Sequence, residues 1–144
     1  RSGSAAVAAR TVCQSSAWQQ ARWRFLLIHQ PPYGQGWPGY AGDDFIARLV
    51  EEEAEQQRTD FVLSGHIHDY ERLRKTFGRQ TTHFFVLGGG GGGLEPPASN
   101  PCPVMDMLRK QHHYALFSVQ STRVSVDIYD SQGIRIDQLQ IEKK

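Results

Sequence analysis

Apolar residues fall first into short unbroken runs and later into strict alternation, and this change of pattern predicts two kinds of sheet. Phe25-Leu26-Leu27-Ile28, closed by His29 and by Pro31-Pro32, predicts a strand buried on both faces, as in a mostly parallel sheet. Phe61-Val62-Leu63-Ser64 and Phe84-Phe85-Val86-Leu87 predict two more. Between the first two, Phe45, Ile46, Leu49, Val50 and Ala54 recur at helical spacing opposite Glu51, Glu52, Glu55 and Gln56. Asp43 or Asp44 can cap that helix, which should end near Arg58. In the tail, Val124, Val126 and Ile128 alternate with polar residues, Asp130-Ser131-Gln132-Gly133 reads as a turn, and Ile134 and Ile136 resume the alternation. These are antiparallel strands. The apolar parity shifts between Ile136 and Leu139, which predicts a bulge or a change of partner.

Three stretches lack a period. Residues 1–17 are small and polar and read as a loosely held leader ahead of residues 18–144, with a short helix through Trp18 to Ala21. Pro31 to Gly42 holds three prolines, four glycines, two tyrosines and Trp37, which reads as a shaped surface loop. Gly88 to Gly93 is a run of six glycines followed by Leu94-Glu95-Pro96-Pro97, where a nucleotide-binding loop would need Gly-Lys-Ser/Thr and a helix.

The 144 residues suit one domain. Sixteen Lys and Arg oppose fifteen Asp and Glu, a net charge of +1, so no strong field draws the chain to nucleic acid or an anionic membrane. No apolar stretch approaches the ~20 residues needed to cross a bilayer. Neither nucleic acid nor membrane is expected as a partner. Cys13 and Cys102 match no metal-knuckle spacing and are equally two thiols or one bridge.

The densest chemistry lies in Ser64-Gly65-His66-Ile67-His68-Asp69-Tyr70-Glu71-Arg72. His66 and His68 are two residues apart after a buried strand, so in extended chain both rings face one way. Gly65 lets the backbone turn and an ion approach. Imidazole binds divalent transition metals and needs a neighbouring acceptor to fix its tautomer, a role within reach of Asp69, Tyr70 and Glu71. His29 ends another buried strand, and a strand-helix-strand unit brings both strand ends to one edge, where His29, His66 and His68 would converge. Tyr33, Trp37 and Tyr40 either line a pocket there or fasten the loop, packing being favoured for Trp37. His83, His112 and His113 read as structural.

His29-Gln30-Pro31-Pro32-Tyr33, Gly65-His66-Ile67-His68-Asp69-Tyr70-Glu71-Arg72 and Val86-Leu87 with the glycines after it resemble, in order and spacing, the last blocks of calcineurin-like metallophosphoesterases, particularly the purple acid phosphatase branch. The resemblance runs from about Trp18 to Ile141. It implies that residues 18–144 are the C-terminal portion of a metallophosphoesterase domain, the C-terminal half of an α/β fold of αββα sandwich type with a mixed sheet and antiparallel C-terminal strands. It also implies phosphate-ester hydrolysis at two transition metal ions (Fe, Zn or Mn), His29 and His66 binding one and His68 the other, with Tyr33 and Tyr70 beside substrate or ligands. The earlier blocks of that family, Asp-x-His, Gly-Asp-x-x-Asp and Gly-Asn-His-Asp/Glu, do not occur in these residues. The resemblance therefore leaves the catalytic residues unassigned and implies an upstream half, or a separate chain, that completes the site. Three neutral imidazoles leave two dications uncompensated, so at most one metal should bind tightly and this chain alone should be inactive. The alternative is a non-catalytic α/β module with a vestigial or mononuclear three-histidine site. The resembling branch is often secreted, but the sequence itself fixes no compartment.

Overall fold

A computed structural model describes residues 11–101 and 104–144. The chain runs α1 (Ser16–Gln20), β1 (Phe25–Leu27), α2 (Asp44–Gln57), β2 (Phe61–Ser64), β3 (Tyr70–Phe77), β4 (Gln80–Leu87), β5 (Met107–Arg109), β6 (His113–Val119), β7 (Arg123–Asp130) and β8 (Arg135–Glu142). Strands β1 to β5 form one mixed sheet in the order β1-β2-β4-β3-β5, and β6-β7-β8 form a second, antiparallel sheet. No helix among the described residues is long and apolar enough to cross a membrane.

Alternation along the strands makes the layers. Phe61 on β2, Phe85 on β4 and Tyr70 on β3 meet Val124, Val126 and Ile128 of β7, so this core lies between the two sheets. Their neighbours Val62 and Phe84 point the other way and bury Val50 of α2. The order is helix, mixed sheet, antiparallel sheet. Fully burying side chains of this size contributes roughly 1.5–3 kcal/mol each. Asp43 caps α2 by accepting from the Ile46 amide at 2.9 Å, and the helix closes on Arg58, which adopts the left-handed conformation with φ 57°.

Strand β1 departs from the expectation of burial on both faces. It is the edge of the mixed sheet, pairing in parallel with β2 only, and Leu27 is 71% exposed. An apolar run signals a strand, but only the neighbouring segment decides whether that strand is central. The bulge in the tail is present. Ile128 pairs with Asp137 and Tyr129 with Arg135, so Ile136 is the extra residue, which lets Ile136, Leu139 and Ile141 all reach the core. The turn is closed by Asp130, whose carboxylate accepts from the amides of Gln132 and Ile134, with Gly133 at φ 80°.

The sequence did not announce β3. It carries Glu71, Arg72, Arg74 and Lys75, and its charges are partnered only in the folded chain, Arg72 by Asp137 of β8 at 2.8 Å. In the N-terminal stretch, residues 1–10 lie outside the described residues. Ser15 caps α1 and Cys13 is buried. Cys102 also lies outside the described residues, and with it the question of a bridge to Cys13.

Candidate metal centre

Strands β1, β2 and β4 are mutually parallel, so their C-terminal ends share one edge. His29 follows β1, His66 follows β2 and the glycine run follows β4. The Gly65 amide donates to the His29 carbonyl at 3.1 Å, which joins the two loops. The sharp turn is taken by His66, at φ 67°, rather than by Gly65. A non-glycine residue in the left-handed region costs about 1–2 kcal/mol, and such strain gathers where a side chain must be aimed. Here it aims the His66 ring at His29. His66 Nδ1 lies 3.2 Å from His29 Nε2, with the rings edge to face at 5.1 Å.

That separation suits a shared cation. Two nitrogens each about 2.0–2.1 Å from a tetrahedral zinc lie roughly 3.3–3.4 Å apart. In the absence of an ion, the same contact is a hydrogen bond between a protonated and an unprotonated ring nitrogen.

His68 is held separately. Its Nδ1 lies 2.7 Å from the Gly93 carbonyl, and its amide donates to Glu95 Oε1 at 3.1 Å. A carbonyl at that distance fixes the proton on Nδ1 and leaves the Nε2 lone pair outward, the arrangement by which proteins prepare an imidazole ligand. The glycine run is what permits this. A Cβ on Gly92 would fall 2.5 Å from the His68 ring, and one on Gly88 would fall 1.9 Å from the Ile67 carbonyl oxygen. The structure thus joins His29 to His66 and ties His68 to the glycine loop. Among the described residues no three His, Cys, Asp or Glu side chains gather into one group able to hold a metal.

Trp37 and Tyr40 form the wall. Each ring stands 5.4 Å from that of His66, and the two are 5.3 Å apart. Asn100 holds their loop, donating to the carbonyls of Trp37 and Tyr40 at 3.0 Å each. Tyr33 sits elsewhere. Its hydroxyl hydrogen-bonds Glu51, Lys75 donates to it at 2.8 Å, and its ring packs on Phe84. Burial and the Glu51 carboxylate push its hydroxyl well above the usual tyrosine range. Tyr70 is fully buried, donates to Asp137 Oδ2 at 2.6 Å and ties β3 to β8, so it braces the two sheets. Burial and Asp137 likewise push its hydroxyl far up. The sequence favours packing for Trp37, whereas the structure stands its ring against His66 and packs Tyr33 on Phe84 instead, because a loop without a period has no face to read.

Beneath the loop lie two fully buried carboxyls, Asp69 and Glu71. Glu71 accepts from the amides of Gln35 at 2.9 Å and Gly36 at 2.7 Å. Asp69 has no such donor. Burial, reinforced by the neighbouring Glu71, pushes Asp69 well above the usual carboxylate range, while Glu71 braces the loop under Trp37. His112 lies 3.0 Å from the Gly89 carbonyl, His113 packs on Tyr70, and His83 stacks on Phe61. All three are structural.

No protein-family model and no curated protein sequence matches the chain. Solved structures do. Over 94% of this chain, the purple acid phosphatase PPD1 from yellow lupin (Lupinus luteus) superposes with a TM-score of 0.78 at 15% identity. GAP50 of Plasmodium, described as the anchor in the inner membrane complex, superposes over 96% with a TM-score of 0.73 at 14% identity. The chain spans 27% and 41% of those two chains. Its fold is that of the C-terminal part of a metallophosphoesterase sandwich.

Proposed function

We propose that this metallophosphoesterase-type fold serves phosphate-ester hydrolysis at a two-metal centre, to which the chain contributes His29, His66 and His68. The supporting observation is the 3.2 Å contact of His66 Nδ1 with His29 Nε2, held by a strained backbone at the edge where β1 and β2 end. When bound, a pair of cations supplies Lewis-acid stabilisation of the phosphoryl oxygens and activation of water. The chain's own residues position that chemistry. His29 and His66 offer two lone pairs to one ion, and His68, its Nδ1 proton fixed on Gly93, offers Nε2 to the second. Trp37 and Tyr40 shield one side of His66 from water.

Bridging carboxylates come from a complementary segment, the upstream part of the same protein or a separate chain. The open edge of β1, with Leu27 exposed beside it, is where such a segment adds a strand. By this reading the 144 residues bind at most one metal tightly and do not turn over substrate alone.

The test is co-expression with a polypeptide carrying the Asp-x-His and Gly-Asn-His blocks, assayed on an aryl phosphate. Metal-dependent hydrolysis that disappears with His66→Ala is expected. A stable complex with full metal content and no hydrolysis would leave the non-catalytic module as the better description. That second reading is favoured by one observation, that no three potential ligands gather among the described residues.

A further inference from the structure

At the opposite edge of the mixed sheet lies an 870 Å³ cleft lined by Arg22, Arg24, Arg58, Arg79, Lys143 and Lys144. It is formed where β1 and β2 begin and where β3 turns into β4. Strand β4 spans the sheet from Gln80 at the cleft to Leu87 at the glycine run, which separates the two edges by about 25 Å. Among the described residues lining the cleft none is acidic.

The way these cations are held is informative. Arg24 donates to the carbonyls of Trp18 and Gln19 at 2.8 Å each, and Arg22 to those of Ser121 and Lys143 and to the main-chain oxygen of the last residue, Lys144. Neutral carbonyls fix a guanidinium without cancelling its charge. Lys143 is ion-paired, with Asp60 at 2.6 Å, while the side chains of Arg58, Arg79 and Lys144 make no hydrogen bond or ion pair with the described residues. Among the described residues the side-chain charges of Arg24, Arg58, Arg79 and Lys144 therefore have no anionic partner. A chain of net charge +1 that gathers them in one concavity focuses a positive field there.

We infer that this cleft binds a soluble anion bearing two or more phosphate groups. One phosphate carries at most two charges near neutral pH, too few to balance four, and the volume lies within the range of small-molecule sites. No lining residue is an exposed large apolar side chain of the kind that enters a bilayer, which disfavours a lipid headgroup as the source of the phosphates. The site is independent of the histidine edge and of its proposed function.

Inorganic tripolyphosphate, titrated calorimetrically into the full chain, is the probe, with vesicles containing a polyphosphoinositide as the second arm. Binding should weaken about tenfold or more in Arg79→Gln/Lys144→Gln, survive in His66→Ala and fall steeply with added salt. Unchanged affinity in the double variant, loss of binding in His66→Ala, or binding to vesicles without binding to tripolyphosphate would each overturn the inference.

Discussion

The two ends of the mixed sheet are built from the same strands and hold charge by opposite means. At the end where β1, β2 and β4 finish, the groups proposed to act are imidazoles, and they are placed by close steric contact. Gly88 and Gly92 let backbone approach where no side chain could fit, and His66 takes a left-handed turn to reach His29. At the other end the groups are guanidinium and ammonium ions, of which Arg22 and Arg24 are placed by backbone carbonyls. Buried ionisable groups divide likewise. Burial pushes Asp69, near the histidines, upward and His83, paired with Arg74 near the cationic end, downward. The first edge depends on shape and the second on charge, so substitutions should separate them.

The largest effect is expected from Gly88→Ala. Its Cβ would meet the backbone oxygen of Ile67, which cannot swing aside, so stability should fall by about 3 kcal/mol in urea denaturation. Tripolyphosphate binding should persist below the new midpoint. Simultaneous loss of both would show that the edges are coupled.

Next comes a pH effect at the cationic half. Burial lowers the His83 imidazole to about 4, whereas in the unfolded chain it titrates near 6.5. The unfolded state takes up a proton first as pH falls. The stability contributed by neutral His83 is therefore complete above about pH 6.5 and is lost as pH falls towards 4, a change on the order of 3 kcal/mol. His83→Phe should remove this slope, seen as a wild-type-minus-variant difference that narrows with acidification over that window. A difference constant with pH would contradict the assignment.

A smaller change is expected from Tyr70→Phe, which removes one hydrogen bond to Asp137 while Arg72 still pairs with it. The cost should be about 1 kcal/mol by denaturation, with zinc affinity unaltered, because the side chain braces the sheets and hydrogen-bonds Asp137 rather than the histidines. Smallest of all, Arg79→Gln should move stability by less than about 0.5 kcal/mol, since the side chain is exposed and unpaired among the described residues.

These two edges were not equally legible in the sequence. Runs such as Phe61-Val62-Leu63 and Phe84-Phe85-Val86 identify strands because their burial follows directly from apolar content, and the parallel order of β1 and β2 then places His29 beside His66. Strand β3 was hidden because Glu71 and Arg72 are buried or half-buried only by virtue of distant partners, the amides of Gln35 and Gly36 and the carboxylate of Asp137. The sequence favoured packing for Trp37, and its place against His66 was not legible because an irregular loop has no face. The cationic cleft was invisible for a different reason. Its residues come from separated segments at 22–24, 58, 79 and 143–144, and a net charge of +1 conceals their convergence.

The central claim is that His29 and His66 present two lone pairs to one cation. Long-range ¹⁵N–¹H spectra of the imidazole rings, recorded as zinc is added to the full chain, test it directly. The account predicts that His29 Nε2 and His66 Nδ1 shift together and saturate at one equivalent, while the His68 Nδ1 signal keeps the signature of a protonated nitrogen on the Gly93 carbonyl. Resonances of His29 and His66 that stay unmoved at stoichiometric zinc, or that respond independently of one another, would contradict it.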